Sequence, residues 1–228
     1  MARPATMLAF LLAVMPPLAA WPQDSLLSDG AAVAADSTLP AFTFTPGAWA
    51  RYEIKDKAKN TVRELKIGVA HAETTPAEGV WIELETTSET ETPVIVSALV
   101  RLKEGEPRLA LRVLVKIGNY PPIEMDPAKL ANHAPDAEPG TFEAAGEENL
   151  ETAGEAFRAQ KGRWTSEDGS AQDLWLAAQT PIFGLVRAKS NAQELTLIDF
   201  GRDYQPQIVE EPIRIEPRSH EKPASKKK

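Results

Sequence analysis

The side chains able to do chemistry are few in kind and scattered in position. The chain holds three histidines, His71, His133 and His220, and no cysteine. Without cysteine there are no thiolate nucleophiles, disulfides, iron–sulfur clusters or Cys-based zinc sites. A Ser-His-acid triad needs an exposed nucleophile, yet no Gly-x-Ser-x-Gly turn is present. His-Glu-x-x-His, a P-loop and a dinucleotide fingerprint are absent too. No catalytic residue, metal ligand or cofactor site is assigned, and the chain is read as a non-enzyme.

Carboxylates are harder to dismiss, because 33 Asp and Glu residues make close pairs inevitable. Glu83 and Glu85 fall on one face of a strand, about 7 Å apart, a spacing near that of glycosidase pairs. They lie opposite Val80, Ile82 and Leu84, which places them on the solvated face of a half-buried strand. Glu147, Glu148 and Glu151 sit in a turn-like stretch and could hold a hard cation, but they lack the Asp/Asn/Gly spacing of an EF-hand loop. A carboxylate-dependent exported hydrolase rests on these acids alone. Trp49, Trp81, Trp164 and Trp175 share faces with Arg, Glu or Asp. Such a row either binds sugars, peptides or lipid headgroups, or packs under a loop or barrel corner. Lys226, Lys227 and Lys228 either touch an anionic surface or simply solubilise the chain's end.

The elements that must position these groups are strands, because apolar residues recur with period two. Ala50, Tyr52 and Ile54 share one face, as do Leu65, Ile67 and Val69, and then Val80, Ile82 and Leu84. Val94 to Leu102 and Leu109 to Ile117 alternate similarly on either side of Lys103–Pro107, the strongest hairpin in the chain. Further strands are expected at 156–164, 173–177, 183–189 and 193–200, about nine in all. Ala134–Gly146 reads as loop. Asp126–His133 and Ser28–Ala35 are the only helical candidates. Connections this short force neighbouring strands to run antiparallel, and a large antiparallel sheet twists and curls. The expected fold is all-β with minor helix: a strongly curved antiparallel meander.

One apolar face per strand has to be covered by closure, by helix or by a ligand. With little helix available, a lipid or acyl chain is the expected cover. The face is expected to present Tyr52, Ile54, Ile67, Ile82, Leu84, Val96, Val113, Val115, Leu174, Leu176 and Leu197. If the sheet closes tightly, the same residues are core and the chain is a protein–protein interaction module.

The flanks carry the address. Arg3 precedes the apolar run Met7–Met15, which Pro16 and Pro17 stop before Leu18-Ala19-Ala20. That order reads as a signal peptide over residues 1–20, too short to span a membrane. No cysteine follows for lipidation. A periplasmic location is expected, with secretion from the cell as the alternative. Residues 21–46 read as a flexible lead-in and 47–204 as the β domain. Residues 205–228, rich in Pro and Lys, read as a disordered tail. The formal net charge of −8 argues against nucleic acid as a partner.

Three late segments carry a family resemblance: Asp173-Leu174-Trp175-Leu176-Ala177, Thr180–Arg187 and Glu194–Gly201, with Gly47-x-Trp49-x-x-Tyr52 at the start. Over about residues 44–202 the chain resembles the LolA/LolB-like lipoprotein-carrier superfamily and its uncharacterised envelope relatives. The resemblance implies that the meander forms an incompletely closed β-barrel that holds acyl chains under lid helices, without catalytic residues. The scarcity of helix departs from that pattern and weakens the expectation of lipoprotein shuttling more than that of the fold. A partner in the cell envelope is the other expectation.

Overall fold

A computed structural model describes residues 44–73, 79–88, 91–101, 110–127, 140–166, 169–182 and 184–214. The elements among them are twelve strands in one sheet. In chain order these are β1 (Trp49–Asp56), β2 (Thr61–Glu73), β3 (Gly79–Thr87), β4 (Val94–Val100), β5 (Ala110–Ile117) and β6 (Ile123–Met125). They continue as β7 (Gly140–Thr152), β8 (Glu155–Ser166), β9 (Ala171–Leu176), β10 (Leu185–Lys189), β11 (Gln193–Gly201) and β12 (Ile213–Arg214).

The spatial order is β12-β6-β5-β4-β3-β2-β1-β11-β10-β9-β8-β7. All pairs are antiparallel except the short β12–β6 contact, which is parallel. The curved sheet is not closed by hydrogen bonds, in line with the incompletely closed barrel expected. Local chemistry sets the turns. At the β1–β2 hairpin the Asp56 carboxylate accepts the amides of Ala58 and Lys59, both at 3.0 Å, and Asn60 takes a left-handed φ of 51°.

Curvature brings the inner faces of β1–β3 together with β8–β11 around Tyr52, Leu65, Ile67, Val69, Leu174, Leu176 and Leu197, all nearly inaccessible. β10 pairs with β11 only as far as Thr196. Beyond it, the Leu197 carbonyl accepts the Thr152 hydroxyl from the end of β7, and the Phe157 ring meets Phe200 edge-on at 5.9 Å. The β7–β8 hairpin is thereby fastened to the middle of the sheet.

Several expectations are corrected. The stretch expected as loop up to Gly146 contains the first half of β7, which pairs with β8 from Gly140 to Thr152. Its Ala, Gly and Glu content has little strand propensity, so pairing with β8 sets its conformation. A register shift leaves Ala145 without a partner on β8, and Gly146 beside it takes a φ of 108° that favours glycine. Strand β10 begins at Leu185. Residues 205–214, expected in the tail, lie against the sheet and end in β12. The candidate helix at Ser28–Ala35, the signal peptide, the Lys103–Pro107 turn and most of Asp126–His133 lie outside the described residues.

Candidate functional site

The residues predicted to form an apolar ligand face all lie on the inner face, in two groups. Tyr52, Ile54, Ile67, Ile82, Leu174, Leu176 and Leu197 belong to the main core. Tyr52 spans it to donate its hydroxyl to the Leu185 carbonyl at 3.1 Å, and complete burial pushes its pKa far above the usual phenol range. This phenol is a fixed neutral donor. Val96, Val113 and Val115 form a separate cluster on β4 and β5. Leu84 packs against both groups and is only partly buried.

Around Val96, Val113 and Val115 pack Leu84, Val94, Ala98, Ile117 and Met125. The cross-strand register explains why they meet: Leu84 faces Val96, Val96 faces Val115, Ala98 faces Val113, and Val113 faces Met125. Four strands thus present a continuous apolar strip about 14 Å wide at ordinary strand spacing. Val96, Val113 and Val115 are buried and their flanking members are partly exposed, as are Phe44, Val100 and Phe200 around the main core. An apolar surface of this kind offers a ligand burial without orientation by hydrogen bonds.

The outer face is built differently, and here sequence reasoning missed the main feature. Glu83, expected on a solvated face, is 2% exposed. Its Oε2 accepts the Tyr204 hydroxyl at 2.9 Å and the Gln207 amide at 2.7 Å, and Oε1 accepts the Ile208 amide at 3.4 Å. Residues 202–214 run as a strap across β2, β3, β4, β5 and β6. Tyr204 lies over Gly68, where an added Cβ would come within 2.3 Å of the ring. Ile208 packs on the cluster of Trp81, Leu99 and Leu114. Glu210 pairs with Lys116, and Glu124 is shared by Arg112 at 2.9 Å and Arg214 at 3.0 Å. The Arg112 hydrogen bond, with Arg214 behind it, holds the Glu124 carboxyl below its usual range. Burial, reinforced by the Glu83 charge, raises the Tyr204 pKa well above the phenol range, so it remains a donor.

The four tryptophans among the described residues pack into the sheet. Trp81, Trp164 and Trp175 are buried. The Trp175 ring lies under Lys161 and Arg187, at 4.9 and 5.4 Å, and its Nε1 donates to Glu148 Oε2 at 2.9 Å. That hydrogen bond is the largest cause of a lowered Glu148 pKa. Trp49 donates to Asp203 Oδ1 at 2.6 Å beneath Lys66. Glu147 and Glu148, considered above for a hard cation, are taken by Arg158 and Lys161. Among the described residues no group of three His, Cys, Asp or Glu could hold a metal ion. His71 is exposed on β2, 6.2 Å from the Trp81 ring; His133 and His220 lie outside the described residues. Beside Trp49 a shallow depression of about 410 Å³ mixes Arg51 and Lys66 with Glu64, Glu85 and Asp199, so it favours neither sign of charge. No helix among the described residues is long and apolar enough to cross a membrane.

No family model matches the chain, and no curated protein matches it. Similar solved structures include MucB in complex with MucA(peri), at 12% identity and TM-score 0.40, covering 72% of this chain and 53% of that one. MucB itself matches at 14% identity and TM-score 0.39, over 70% and 54%. A protein with a YmcC-like fold from Bacteroides fragilis matches at 12% and 0.39, over 72% and 98%. The chain spans about half the length of the MucB chains. At these identities and TM-scores the likeness carries no argument about what the chain binds, and function has to be read from its own residues.

Proposed function

We propose that the chain is an exported, soluble cell-envelope protein, periplasmic or secreted, that holds an apolar ligand such as an acyl chain without catalysing a reaction on it. The observation that carries this reading is the strip of Val94, Val96, Ala98, Val113, Val115, Ile117 and Met125, which meets the main core through Leu84. The sequence-predicted ligand set therefore narrows to Leu84, Val96, Val113 and Val115, while its other members serve as core. The apolar run at Met7–Met15 supports export.

The test is titration of a fluorescent fatty acid into residues 21–228 purified without detergent. Saturable uptake near one probe per chain is expected. Ile117→Lys and Met125→Lys, at partly exposed positions, should weaken uptake about tenfold or more while leaving the melting curve unchanged, because each places a charge beside the acyl chain. Folded wild-type protein that takes up no probe would overturn the reading.

A further inference from the structure

Independently of the acyl ligand, we propose that the free edge of β7 docks an extended basic segment of another polypeptide, which adds to the sheet as a further strand. Among the described residues β7 ends the sheet and is paired on one side only, with β8. Up to its end at Thr152, which is turned to the Leu197 carbonyl, the strand makes a long open ladder of backbone N–H and C=O groups. Proteins ordinarily blunt such an edge with short strands, Lys, Pro or bulges. The opposite edge follows that rule, since β6 has three residues and β12 two. β7 carries one bulge and has no Lys, Arg or Pro. Thr141, residues 143–147, Asn149 and Glu151 are all exposed.

Charge selects the partner. Glu143, Glu147, Glu148 and Glu151 give the strand four acids and no cation. On the paired side β8 already takes up Glu147 with Arg158 and Glu148 with Lys161. A strand arriving on the other side meets Glu143 and Glu151, both exposed, and like charges facing each other across strands are destabilising. Two copies pairing β7 to β7 would oppose acid to acid. A segment with Lys or Arg at alternate positions repeats the complementarity that β8 already shows. Backbone pairing supplies the affinity in strand addition, and side-chain charge supplies the choice of partner. Fastening of the β7 end through Thr152 and Phe157 holds the edge in place, which lowers the ordering cost of docking.

The test uses a capped peptide alternating Lys and Val over eight residues, with two controls: the Glu/Val counterpart, and a Lys/Val version interrupted by proline. Calorimetry at low salt should show saturable binding of the Lys/Val peptide alone. Its addition should slow hydrogen exchange at alternate amides of residues 141–151 about tenfold or more. Glu143→Lys with Glu151→Lys, both exposed, should abolish binding with circular dichroism unchanged. Equal binding of the proline-interrupted peptide would reduce the effect to charge alone and overturn the proposal. So would protection elsewhere in the chain, no binding at all, or a concentration-dependent dimer that protects β7 without peptide.

Discussion

Replacing Glu83 with alanine should detach the strap that crosses the outer face. The carboxylate accepts from the Tyr204 hydroxyl and the amides of Gln207 and Ile208, and the first two bonds are short. Hydrogen bonds to a charged group contribute about 1.5–3 kcal/mol each, so losing the two short ones costs about 3–6 kcal/mol. Relief of the carboxylate's own desolvation offsets part of this, leaving a net loss of about 2–4 kcal/mol. For a domain of this size each kcal/mol lowers the melting temperature by about 2–4 °C, so a fall of about 4–16 °C is expected. Thermal melts by circular dichroism measure it, and hydrogen exchange at Gln207 and Ile208 locates it. Tyr204→Phe removes one bond and should lose roughly half as much. A Glu83→Ala melt within about 1 °C of wild type, with the Gln207 amide still protected, would show that the strap is not held by this carboxylate.

Other perturbations probe the remaining features. Gly68→Ala pushes a Cβ into the Tyr204 ring and should also release the strap, visible as faster exchange across residues 204–214. Gly162→Ala places a Cβ 2.1 Å from the Phe142 ring and 2.8 Å from the Glu143 carbonyl, so the β7–β8 hairpin should lose exchange protection while β4–β5 keeps its own. Asp173 and Glu194 have pKa values lowered chiefly by hydrogen bonds from Arg163 and Arg187, and Glu124 by Arg112. Because the folded values lie below the unfolded ones, this stabilisation is complete above the ordinary carboxylate range and is lost as pH falls through the folded values. Melting temperature should be level between about pH 7 and 5 and should drop below about pH 4. A rise in that acid limb would contradict the assignment. Val113→Met enlarges a side chain inside the strip, so it should cost about 1–3 kcal/mol of stability and lower acyl-probe affinity.

What the sequence disclosed follows from the range of its signals. Period-two alternation is local, so β1, β2, β3 and the β4–β5 hairpin were legible, and with them the inner face bearing Tyr52, Ile67, Leu84 and Val113. β7 was not, because Gly140, Gly146 and four acids disfavour a strand by composition. Its partner β8, with Phe157, Ala159 and Trp164 buried, decides its state. The strap escaped for a related reason. Composition correctly finds little apolar surface after residue 205, but Tyr204 reaches a carboxylate 121 residues earlier. Alternation placed Glu83 on the outer face, yet nothing local indicated that this face was covered. Likewise Leu84 and Leu174 look alike in the alternation, and only the contacts separate the strip from the filled core.

The most direct test of the acyl-binding reading is the native mass of residues 21–228, exported by a bacterial host and purified without detergent. The account predicts an adduct of one acyl-bearing molecule per chain, lost on organic extraction and diminished in the Ile117→Lys protein. A bare polypeptide mass, unchanged after incubation with long-chain fatty acid, would contradict it and leave the strip as core.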